Sequence, residues 1–129
     1  LGIYNLHTIF DEKYYDNLRG GLLEAFGRGF GHNVKMLVYP ANDVETGDTY
    51  ALENFKLNDN LKGLLQYMKD NNKVEAFKEF DSKLLGIMSD DVLSKIRAGA
   101  SIWEDDVPDA VADAIKKYEL FGYKKKVSV

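Results

Sequence analysis

Short apolar runs rich in strand formers alternate along this chain with stretches whose apolar residues recur every three or four positions. That alternation restricts the fold to layers of helix packed on sheet. The runs are LGIYNL at 1–6, a second strand at 34–39 closed by Pro40, KLLGIM at 83–88 and ASIW at 100–103. KKKVSV at 124–129 begins a fifth.

Between them lie the helical patterns. Over 12–28, Tyr14 or Tyr15, Leu18, Leu22, Ala25 and Phe26 fall on one face. Gly20 and Gly21 inside that stretch predict a close approach of helix to sheet, and Gly27, Gly29 and Gly31 predict the positive-φ positions that end it. Residues 41–56 are turn-like, a loop with one short helical turn. A helix is predicted after Asn58 or Asp59, either of which can accept first-turn N–H groups, with Leu61, Leu64, Leu65 and Met68 as its stripe. Val74, Ala76, Phe77 and Phe80 fit a further helical piece or an edge strand. Ser89-Asp90-Asp91 reads as an N-cap cluster opening a helix to Ala98 with Gly99 as its stop. Pro108 suits the first turn of a last helix ended by Gly122. The expected fold is α/β, one domain over 1–129, with a doubly wound, mostly parallel sheet of about five strands flanked by helices.

Composition narrows the function classes. The absence of cysteine removes thiol nucleophiles, zinc knuckles, iron–sulfur ligand sets and disulfides. With 17 Lys and Arg against 21 Asp and Glu the net charge is −4, unlike a nucleic-acid footprint, so no direct nucleic-acid contact is expected. No apolar run reaches the length of a membrane span, so no membrane partner is expected either. The chain opens at Leu1 rather than methionine and is expected to be a processed protein or one domain of a longer one. The compartment stays open, with the cytoplasm favoured over the periplasm.

Ligands of doubly wound sheets sit beyond the carboxyl ends of the strands. Four places qualify: Asn5–Asp11, Pro40–Asp43, Ser89–Asp91 and Trp103–Asp106. They combine carboxylates with the aromatic planes of Phe10 and Trp103, which suits a neutral polyol such as a sugar. The ring stacks on the apolar sugar face while the acids accept hydroxyl protons. Phe10, Asp11, Ser89, Trp103, Asp105 and Asp106 are the candidate ligand-binding residues. Each has an alternative: Asp105 or Asp106 as cap of the helix at Pro108, Trp103 as core, His7 as a general base or a polar loop residue, Lys124–Lys126 as a solvated edge. Glu104-Asp105-Asp106 also fits an acidic magnesium pocket. GRGFGH at 27–32 lacks the Lys-Ser/Thr of a phosphate loop and precedes a strand. No catalytic constellation, metal or cofactor is expected.

YYDNLRGGLLEA followed by GHNVKMLVYPAND resembles the opening of the type I periplasmic-binding-protein superfamily. That superfamily includes sugar-binding proteins and the effector domains of lactose/galactose-repressor-like regulators. Tyr14, Tyr15, Leu18, Gly21, Leu22, Ala25, Gly31, Asn33 and Val34 fall in register, and SIWEDDVPDAVADAIKKYELFGYKKKVSV is similar to its strand, acidic turn, Ala-rich helix and next strand. Members carry two lobes and are longer, so the resemblance implies a single-lobe relative that senses or binds a small polar ligand. It implies contacts at Phe10, Asp11 and Asp105 or Asp106. A homodimer is a separate expectation. IMSDDVLSKIRAGASIWEDDVP also resembles the end of a response-regulator receiver, with Ser89 at its hydroxyl position, which implies a protein-interaction domain. AGASIWEDDVPDAVADAI is similar to the tail of nicotinamide-mononucleotide-type adenylyltransferases, which implies a nucleotide-handling enzyme.

Overall fold

A computed structural model of the chain, describing residues 1–127, is a mixed helix-and-strand fold that divides into two compact units, Leu1–Leu85 and Gly86–Val129.

The first unit opens with α1 (Ile3–Ile9), where a strand is expected over 1–6. Ile3, Leu6 and Phe10 are fully or almost fully buried, and their spacing of three and four is a helical period that becomes visible only when the window extends to Phe10. Only the start of the run is extended: Gly2 makes a single parallel bridge to Tyr39, with the Ile3 N–H donating to the Tyr39 carbonyl at 2.9 Å. A 3-10 turn at Glu12–Tyr15 precedes α2 (Gly21–Phe30). Gly21 starts α2 with φ +57° and nothing crowds the place of its missing Cβ, so left-handed backbone, not close packing, explains this glycine. At the other end Gly27 and Gly29 lie within the helix and Gly31 is right-handed; the positive φ belongs to Asn33, at +52°. A Cβ at Gly31 would collide with the Gly27 carbonyl oxygen.

Strand β1 (Met36–Val38) falls within the expected 34–39 and pairs in parallel with β4 (Val74–Ala76), in register Met36 to Val74 and Val38 to Ala76. Of the two readings of residues 74–80, the strand is therefore the one adopted. The turn-like segment contains an unpredicted antiparallel hairpin, β2 (Ala41–Asn42) with β3 (Thr49–Tyr50), and the expected helical turn at Leu52–Asn54. Helix α3 (Asp59–Asp70) starts where predicted and buries Leu61, Leu65 and Met68 against the cluster formed by α1, α2, β1 and β4.

In the second unit, α4 (Ser89–Arg97) and α5 (Asp109–Tyr118) enclose Val92, Ile96, Trp103, Ala112 and Ile115. Gly99, at φ +74°, closes α4 as expected. The expected strands at 83–88 and 100–103 are absent: Ser82–Leu84 and Ile102–Asp106 are 3-10 turns. A strand covered on both faces buries successive residues, whereas Leu84 is 49% and Ile102 59% exposed beside buried Leu85 and Trp103. Of the strand expected over 124–129, Lys124–Val127 is irregular and residues 128–129 lie outside the described residues. Among the described residues there are four strands in two small sheets, not a five-stranded sheet, and no helix is long and apolar enough to cross a membrane.

Candidate functional site

The end of α1 and the start of α3 enclose a cleft of about 410 Å³ in the first unit. His7 comes from the last turn of α1, Phe10 is its C-cap, and Asp11 and Glu12 follow. Lys56, Leu57 and Asn58 come from the approach to α3, and Asn60 and Leu61 from its first turn. Phe10 and Leu61 are buried and Leu57 is half-buried, so the lining is apolar at its base, while the exposed side chains supply a polar rim.

Aromatic packing fixes the wall carrying His7. Its ring lies 4.5 Å from that of Phe55, centroid to centroid, and Phe55 stacks on Tyr50. His7 Nε2 stands 2.6 Å from the Tyr50 hydroxyl, which itself accepts the Lys56 backbone N–H at 3.2 Å. That oxygen, already accepting one bond, gives its proton to Nε2 of the Nδ1–H tautomer or accepts from Nε2–H of the other. Partial burial pushes the His7 pKa down from its ordinary value, which favours the neutral ring.

The rim offers both hydrogen-bonding senses. Asp11 accepts the Lys13 backbone N–H at 3.2 Å and pairs with the Lys13 ammonium at 3.2 Å. Asn58 occupies the N-cap position of α3 but makes no side-chain capping bond, which leaves its amide facing solvent together with the free first-turn N–H groups of the helix. Carboxylates at Asp11 and Glu12 accept hydroxyl protons; Lys56, Asn58 and Asn60 donate.

The other sequence candidates belong to the second unit. Trp103 is 1% exposed, packed among Val92, Ile96, Ala112 and Ile115 and edge-on to Tyr123: it is the centre of that unit's core. Asp106 accepts a hydrogen bond from Lys95 at 2.8 Å, and Lys95 also pairs with Asp91 at 3.0 Å; these carboxylates, Asp106 first, raise the lysine's pKa. Asp105 is exposed. Neither aspartate caps α5, whose N-cap is Pro108, with no side-chain bond. Ser89 is the first residue of α4 behind Met88 at the N-cap, so Asp90 and Asp91 lie in the first turn, where they favour the positive end of the helix dipole. Glu104 is held by Lys116 at 2.9 Å, and among the described residues no three His, Asp or Glu side chains converge on a metal position. Asp43 is a turn builder, its carboxylate accepting the Glu45 and Thr46 N–H groups, which lowers its pKa.

Phe10 and Asp11 thus line the cleft. Lys56, Asn58, Asn60 and the supporting Tyr50 were not legible as site residues; the one signal was an Asn at the cap position, read as capping. Comparison with protein-family models, with curated proteins and with solved structures gives no match to this chain.

Proposed function

We propose that this chain binds a small polar, hydroxyl-rich molecule, with sugars as the leading class, in the cleft between α1 and α3. One observation carries the reading: Asp11 and Glu12 as acceptors and Lys56, Asn58 and Asn60 as donors surround half-buried Leu57, with Phe10 and Leu61 buried behind it. A polyol needs both senses of hydrogen bond and an apolar surface for its C–H face. His7 adds a ring whose Nε2 is held by Tyr50. A role as the sensing or binding domain of a regulator or solute-binding protein, related to the type I periplasmic-binding superfamily, belongs to the same proposal. It is supported by Phe10 and Asp11 lining the cleft and by the parallel order Gly2, β1, β4, from which a doubly wound sheet would start.

A thermal-shift screen of monosaccharides and nucleosides tests it. A ligand at a hundred times its Kd adds about 2.7 kcal/mol and so raises the Tm visibly. A sugar is expected to stabilise, and Asp11→Asn to weaken the response, because an amide cannot match a carboxylate's charge-assisted bonds. Stabilisation by ATP with magnesium and by no sugar would favour a nucleotide-handling domain instead.

A further inference from the structure

We infer that the turn following α5 is a docking tip for an anionic lipid surface. The segment Lys116–Lys126, KKYELFGYKKK, carries five lysines and one glutamate in a chain whose net charge is −4. Within it Tyr118 is 63%, Leu120 39% and Phe121 56% exposed, three large apolar side chains in four consecutive residues.

The backbone holds them there under strain. Glu119 closes α5 at φ +52°, and Phe121 follows at φ +57°; both are left-handed, where glycine or asparagine would sit more easily than Glu or Phe. Left-handed Glu119 is the C-cap of α5, whereas left-handed Phe121 is strained backbone at an exposed aromatic, the pattern of a functional surface. The tip is pinned at both ends. The Glu119 N–H donates to the Ile115 carbonyl, and the Tyr123 N–H donates to Leu120 at 2.9 Å while the Tyr123 ring packs on buried Trp103. Lys117 Nζ lies 5.1 Å from the Tyr118 ring centroid, so cation and ring form one surface. Among the described residues Lys117, Lys124, Lys125 and Lys126 have no carboxylate partner, which leaves their charge available.

Charge complementarity decides the occupant. Four ammonium groups without carboxylate partners, one before and three after the apolar tip in sequence, match a bilayer that presents negative headgroups above an apolar interior, into which Phe121 and Leu120 insert while the lysines stay at headgroup level. The segment's own cations are all Lys, with the Arg97 side chain beside Gly122. Protein interfaces are depleted of Lys, whereas a diffuse anionic surface attracts point charges. The contact is peripheral and requires no membrane-crossing helix.

Flotation of the full chain with phosphatidylcholine vesicles, with and without phosphatidylserine, tests this. Binding is expected only with phosphatidylserine, and added salt should reverse it. Replacing Lys124, Lys125 and Lys126 together by Gln should reduce partitioning about tenfold or more, and Phe121→Ser several-fold, while Lys62→Gln on α3 should leave it unchanged. These side chains are exposed, so circular dichroism should show each variant folded. Equal binding to both vesicle types, wild-type flotation by Phe121→Ser, or capture by polyglutamate or RNA but not by vesicles would overturn the assignment.

Discussion

Burial beside Tyr50 sets the direction of His7 ionisation. Tyr50 is 4% exposed, accepts the Lys56 N–H and faces His7 Nε2, and partial burial of the imidazole there favours its neutral form. Because the folded state lowers the His7 pKa while the unfolded chain keeps the ordinary value near 6.5, the unfolded state binds the proton more readily. This contribution to stability is present above pH 6.5 and is lost as pH falls through the folded-state pKa. Urea midpoints measured downward from pH 7.5 should fall more steeply for wild type than for His7→Gln. Tyr50→Phe, which strands two hydrogen-bonding groups, should cost about 1–2 kcal/mol in the same assay. At the far end of the chain, Glu119→Gly should raise stability by roughly 0.5–1 kcal/mol: relief of left-handed strain outweighs glycine's entropic cost.

Elements with a long hydrophobic period were legible in the sequence. Helix α3 with Leu61, Leu65 and Met68 and α4 ending at Gly99 stand where the pattern places them, and α5 begins after Pro108; it ends at Tyr118 with left-handed Glu119, short of the expected stop at Gly122, and buries Ala112 and Ile115 while Val111 and Tyr118 stay exposed. Short apolar runs were not. LGIYNL, KLLGIM and ASIW carry too few residues to separate a strand from one helical turn, and the decision lies in tertiary burial: Trp103 and Leu85 go inside while Ile102 and Leu84 stay out. The cleft follows the same division. Phe10 and Asp11 line it, and their place after the first apolar run singles them out although that run is a helix. Lys56, Asn58 and Asn60 were missed because their meeting with His7 depends on how α3 packs back. Met68 is 2% exposed in the middle of that packing, so Met68→Ala should cost about 2–4 kcal/mol, read as a lowered urea midpoint.

At the scale of the whole molecule the described residues form two buried clusters, a large one within Leu1–Leu85 and a five-residue one within Gly86–Val129. The only tryptophan, Trp103, sits in the smaller, so its emission reports that unit alone while far-UV circular dichroism reports both. A small core contributes less stability, so the Trp103 transition in urea should come at lower denaturant than the dichroism transition. Coincident curves would show one cooperative unit. The cleft proposed to bind a sugar lies within Leu1–Leu85, and that separates the readouts: a sugar in it should raise the dichroism midpoint and leave the Trp103 midpoint in place. The most direct test is residue-resolved. In a 1H–15N titration with D-glucose, D-galactose and D-ribose, saturable shifts are expected, centred on the amides of His7, Asp11, Lys56, Asn58 and Asn60 and weakened by Asp11→Asn. Shifts centred on Ser89, Trp103 and Asp105, or none with any of these sugars, would contradict sugar binding in the cleft.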